Sequence, residues 1–172
     1  PNATGMPIVQ QKAGLIVIES FILALTISFI FLIIFVYFIF KRFLYVLVST
    51  LSLLIAFMFS VFIMILFNIN LNFANMIALP LLYSLGISFT IYFIKRFIQY
   101  DGKIHNVISS NTPKAIIFSA ATTMGSFSTL AISSHSGTSS MGLLLFICLL
   151  MTVLSAVFIL PVLLSSFKTL TR

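Results

Sequence analysis

Tryptophan is absent from this 172-residue chain, cysteine occurs once, and only Glu19 and Asp101 are acidic. A lone cysteine, Cys148, cannot close an internal disulfide, and within an apolar run it reads as a small packing residue. Two carboxylates and two histidines, scattered along the chain, give no metal-ligand spacing, so no metal and no other cofactor is expected. Charge of either sign is scarce: 6% of residues are charged, where soluble domains carry roughly a quarter. That shortage excludes an ordinary soluble domain. What is present instead is apolar, with 61% hydrophobic residues and a mean hydropathy of +1.27. Several runs exceed the roughly 18 to 20 apolar residues that a bilayer-crossing helix needs. The chain is an integral membrane protein, all-α and polytopic.

Five crossing helices are expected, over residues 15–40, 44–67, 72–97, 115–133 and 141–167. Residues 1–13 are polar and turn-rich and read as the tail of an extracytoplasmic domain, with 14–172 the five-helix transmembrane domain. The Asn2-Ala3-Thr4 triplet has the N-glycosylation pattern and is read as chance. The chain starts on Pro1 with no basic-then-apolar leader, so the expectation is a piece of something longer. The net charge of +7 does not point to nucleic acid, because the cations cap the apolar runs and form no basic face. Lys41, Arg42, Lys95, Arg96, Lys103, Lys114, Lys168 and Arg172 all fall on one side of a five-helix topology, and only Lys12 on the other. Basic residues stay in the cytoplasm, which places the amino terminus outside and the carboxyl terminus inside. Without tryptophan, the interface anchors fall to Tyr37, Tyr45, Tyr92 and Tyr100.

Three features could carry chemistry. Glu19 is the one acid inside an apolar run, a proton or cation ligand by default, with a water-exposed pair to Lys12 as the competing reading. In the third helix Ser84, Ser88 and Tyr92 recur every four residues beside Pro80 and Gly86, which predicts an irregular helix lining a pathway, against tight packing through small residues. In the fourth, Ser119, Thr122, Ser126, Thr129 and Ser133 step by three or four along one face, with Thr123 beside them. An unpaired hydroxyl is costly against lipid, so this stripe is expected to face other helices, Ser84 and Ser88 first, or a wet cavity. An enzyme is not expected: a serine hydrolase using His135 has no acid placed to orient the imidazole.

Three segments carry a resemblance. Asn72-Phe73-Ala74-Asn75-Met76-Ile77-Ala78-Leu79-Pro80-Leu81-Leu82, Phe118-Ser119-Ala120-Ala121-Thr122-Thr123, and Ser133 to Leu144 resemble the last five helices of RND-superfamily transporters. Within the superfamily the chain is most similar to the MMPL branch and its hopanoid-type HpnN group, and Ala3 to Pro7 resembles the end of the second extracytoplasmic domain. Members have two similar halves and export lipids or other hydrophobic compounds with the proton gradient from the bacterial cytoplasmic (inner) membrane. The resemblance implies a carboxy-terminal membrane domain whose partners are the bilayer, a hydrophobic or lipid substrate, the amino-terminal half of the transporter and a further copy in a homo-oligomer. One departure stands out. Where the family has Gly-x-Asp-Tyr with the Asp in the proton relay, this chain reads Gly86-Ile87-Ser88-Phe89, and serine does not titrate near neutrality. The alternative is a five-helix lipid-sensing or scaffold module without transport.

Overall fold

The computed structural model describes residues 6–69 and 73–170, with the side chains of 6–13, 73, 74, 76–78 and 168–170 outside that description. The Asn2-Ala3-Thr4 triplet and the Lys12 side chain lie outside the described residues, so the Glu19 to Lys12 pairing does too. The elements are α1 (Met6–Phe40), α2 (Phe43–Leu66), α3 (Phe73–Gln99), the short α4 (Ile104–Ile108), α5 (Asn111–Ala131), α6 (Ser136–Leu154), a π-helical turn (Ser155–Ile159) and α7 (Leu160–Leu170). No strand occurs among the described residues. Among the described residues four stretches are long and apolar enough to cross a membrane: Gly14–Phe40, Phe43–Leu66, Leu79–Gln99 and Ser136–Phe167. The expected fifth, on α5, does not join them, because its hydroxyls and Lys114 dilute the apolar run.

Helices α1, α2 and α3 stop where the backbone finds a left-handed residue. Lys41, Asn68 and Asp101 have φ of 51°, 52° and 52°, and Gly102 has 71°. After α2 the Ile69 N–H donates to the Met64 carbonyl at 2.9 Å, and after α3 the Gly102 N–H donates to Phe97 at the same distance, closing carbonyls the helix leaves open. Lysine and aspartate carry a steric cost in this region of about 1–2 kcal/mol each. At α5 the Ser110 side chain caps the first turn, accepting from the Thr112 N–H at 3.2 Å.

The structure departs from the sequence reading at helix starts and in the third helix: α5 begins at Asn111, ahead of the expected 115, and α6 at Ser136, ahead of the expected 141. α1 starts at Met6, nine residues before the expected Leu15, because the apolar helix propagates backward through a segment whose Pro7 sits in the first turn, where a missing N–H costs little. The irregularity expected in the third helix is not there, since α3 runs unbroken through Pro80 and Gly86. It lies instead ahead of Pro161. That proline has no N–H for the carbonyl four residues earlier and crowds it, and the preceding turn widens so that the Leu160 N–H bonds back to the Ser155 carbonyl.

α6 is the centre of the bundle, packed against α2, α3 and α5, while α1 rides on the outside of α2 and α3. Phe93, Ile94, Leu144, Leu145, Leu149 and Leu160 are the largest side chains wholly enclosed. A smaller cluster of Val36, Val46, Leu53 and Ile87 joins α1 to α2 and α3. Lipid is as apolar as leucine, so close approach and hydrogen bonds must hold such helices together. Gly142 lets α6 touch the Leu130–Ala131 backbone of α5, and Gly86 admits Leu53 and Thr152 from α2 and α6. Two polar contacts join distant elements: Asn75 Nδ2 donates to Ser140 Oγ at 2.8 Å, and Ser155 Oγ donates to the Ser52 carbonyl at 2.6 Å while the two hydroxyls lie 2.9 Å apart.

Candidate functional site

One groove opens between α1, α2, α3 and α6, with a volume of about 410 Å³. Its walls are apolar: Leu25 and Phe29 from α1, Phe57 from α2, and Pro80 and Tyr83 from α3 shape it. No charged residue lines it, and its polar atoms are Thr26, Ser28, Ser60, Tyr83, Cys148 and Thr152. Several of these are already engaged. Thr26 donates to the Ile22 carbonyl, Ser60 to Ala56 and Thr152 to Cys148, each four residues back along its own helix. The Tyr83 hydroxyl is buried beside Thr50 without reaching hydrogen-bond geometry, and its ring packs on Phe29 at 5.0 Å between centroids. An uncharged, greasy groove of this size suits the body of a hydrophobic molecule.

A second cavity, about 440 Å³, lies between α3 and α5. It brings together three of the residues singled out from sequence, Ser88, Tyr92 and Ser119, with Lys95, Arg96 and Gln99 beyond them. Ser88 Oγ donates to the Leu85 carbonyl at 2.6 Å and is half-buried. No carboxylate lines this cavity. The remaining sequence candidates are placed elsewhere. Ser84 is exposed and donates to Leu81, and Glu19 is exposed on α1, away from both cavities.

The α5 stripe faces outward from the described bundle, not against Ser84 of α3 as expected. Ser119, Thr122, Ser126 and Thr129 are exposed and Thr123 is half-buried. The physical reason is that α5, packed mainly on α6, buries Pro113, Ile116 and Ala120 in the core, with Met124 and Phe127 half-buried beside them, and this leaves the hydroxyls on the other side. They are bonded nonetheless. Thr122 donates to Phe118, Thr123 to Ser119 and Ser126 to Thr122, at 2.9, 2.9 and 3.2 Å. This back-bonding lets hydroxyls sit on an outer face without an orphaned donor.

Sequence reasoning passed over the Ser52–Ser155 and Asn75–Ser140 contacts. The first had a signal, since Ser49, Ser52, Ala56 and Ser60 of α2 recur at helical spacing and are all buried. The second pairs polar residues at the starts of two helices and had none. Among the described residues no group of three His, Cys, Asp or Glu side chains gathers to hold a metal.

No family model matches the chain. It is 36% identical over 163 residues to the hopanoid transporter HpnN of Burkholderia multivorans (strain ATCC 17616 / 249), covering 95% of this chain and 18% of that protein. It is 37% identical over 152 residues to the hopanoid transporter HpnN of Rhodopseudomonas palustris (strain TIE-1), covering 88% of this chain and 17% of that protein. The chain thus spans less than a fifth of the length of these curated relatives. Their likeness runs through nearly all of a helical bundle with an uncharged groove, and the chain belongs to the HpnN group of RND-superfamily transporters as a segment of its membrane domain.

Proposed function

We propose that this segment is the carboxy-terminal membrane domain of an exporter of hopanoid-like lipids in the bacterial inner membrane, and that the groove between α1, α2, α3 and α6 receives the apolar body of the lipid. The groove itself carries the reading: it is uncharged, and its walls are aromatic and aliphatic. Both curated relatives are named for hopanoid transport. In this account five helices cross, with α5 as the fourth in sequence. Its 21 residues reach about 31 Å at 1.5 Å each, which matches the hydrocarbon thickness of roughly 30 Å. The amino terminus is outside and the carboxyl terminus inside. Support comes from the third cavity, where Arg42, Asp101, Gly102 and Leu164 meet, so that the basic α1–α2 turn, the α3–α4 turn and α7 share one end of the bundle.

The outward hydroxyl face of α5 meets the amino-terminal half of the transporter in this account. Proton coupling resides in that half, because the cavity around Ser88 is lined by no group that titrates as a carboxylate does. The test fills the groove. Thr26→Trp, at its rim, in the full-length protein as the cell's sole copy should lower hopanoid in isolated outer membranes about ten-fold or more, since a blocked pocket loses several kcal/mol of binding. Unchanged outer-membrane hopanoid at an unchanged protein level would sink the reading.

A further inference from the structure

We infer that the α3–α5 cavity is a binding site for a phosphate group. It stands apart from the lipid groove, on the other side of α3, and the residues that built a pathway reading from sequence account for only its inner end. Its outer end is cationic. Lys95 and Arg96, the last charged residues of α3, line it together with Gln99, and Thr112 and Ser119 close it from α5. No carboxylate is among its walls, so nothing in the cavity neutralises the two cations.

Arg96 is held ready. Its Nη1 donates to Gln99 Oε1 at 2.9 Å, and its guanidinium carbon lies 5.0 Å from the centre of the Tyr100 ring. These two contacts fix the plane of the fork while leaving other N–H groups uncommitted, and its Nε is buried with no hydrogen-bond partner. A planar fork already oriented loses little entropy when an oxyanion arrives. Phosphate oxygens match that fork bidentately, and the hydroxyls of Thr112 and Ser119 supply further donors. The first turn of α5, capped by Ser110, adds the positive end of its dipole on the same side. At about 440 Å³ the cavity has room for a phosphate with its esterified substituents.

Such a phosphate comes from a phospholipid headgroup or from a soluble phosphate, and the measurement separates them. The full-length protein is delipidated in detergent and titrated in turn with phosphatidylglycerol, diacylglycerol and inorganic phosphate, with bound mass followed by native mass spectrometry. Phosphatidylglycerol should bind stoichiometrically and diacylglycerol should not. Arg96→Gln should weaken phosphatidylglycerol about ten-fold or more, as loss of a charge-assisted bidentate contact does. Gln99→Ala, which keeps the charge and only frees the fork, should weaken it less, and Lys114→Gln, outside the cavity, should leave it unchanged. Retention by inorganic phosphate with the same Arg96 dependence supports the site and assigns a soluble ligand. Equal binding of diacylglycerol, or phosphatidylglycerol binding unmoved by both Arg96→Gln and Lys95→Gln in variants that melt as native, overturns it.

Discussion

Hydroxyls decide much at the level of single residues in this chain, and two serines with similar spacing signals turn out to do different things. Ser155 donates to the Ser52 carbonyl and also receives the Ser52 hydroxyl, so Ser155→Ala removes two contacts where Ser52→Ala removes one. Hydrogen bonds between membrane helices are worth about 0.6 kcal/mol on average. Ser155→Ala is therefore expected to lower stability by about 1 kcal/mol in detergent unfolding, and Ser52→Ala by about half of that. The reverse order would mean that the π turn is not held by this pair. Ser88 bonds only to its own helix, at the Leu85 carbonyl. Export by the full protein should be insensitive to Ser88→Ala, and Ser88→Asp should add a pH dependence by placing a carboxylate where none stands. Loss of proton-driven export in the alanine form, with insertion unchanged, would show that Ser88 already serves a relay.

At the level of elements, the stops of α1, α2 and α3 were legible, while the starts of α1, α5 and α6 and the faces of the helices were not. Lys41-Arg42, Asn68 and Asp101-Gly102 break apolar runs and stop helices α1, α2 and α3 where the sequence placed the stops to within two residues. Faces are another matter. In α1 and α6 every side is apolar, so periodicity cannot say which side packs, and only close-approach residues such as Gly142 settle it. The stripe on α5 was seen, but an amphipathic face says only that its two sides differ. Which side turns inward was decided by burial of Ile116 and Ala120 in the core and by the close approach of Gly142 to Leu130 and Ala131. The two α5–α6 glycines give a sharp contrast. At Gly142 a methyl would meet the Ala131 nitrogen and lie 2.7 Å from the Leu130 carbonyl carbon, whereas at Gly125 nothing lies within 4 Å. Gly142→Ala should destabilise by about 1–3 kcal/mol through overpacking. Gly125→Ala should be neutral or raise stability by up to about 1 kcal/mol through helix propensity. Equal effects in a detergent unfolding series would contradict the hairpin geometry. A cysteine pair at Ser88 and Ser119, which share a cavity, should cross-link with a short bifunctional reagent, while Ser84 with Ser126, both exposed, should not.

For the whole molecule, class and family were readable from composition and from short segments around Asn72, Phe118 and Ser133, because a bilayer constrains sequence more tightly than water does. The groove was not readable. Its walls come from four helices spread from Leu25 to Thr152, and its residues are the same leucines, phenylalanines and serines found throughout. The proposed topology rests on the basic turns gathered at one end. In a background lacking other reactive cysteines, Ser136→Cys should react with an impermeant thiol reagent from outside and Lys103→Cys only after permeabilisation, and the opposite pattern would invert the bundle. The central claim, that lipid occupies the groove, is tested most directly by photolabelling the full-length transporter with a diazirine-bearing hopanoid and sequencing the modified peptides. The account predicts adducts on Leu25 to Phe29, Phe57 and Tyr83, suppressed by Thr26→Trp. Adducts confined to the outer faces of α5 and α7, and indifferent to Thr26→Trp, would contradict it.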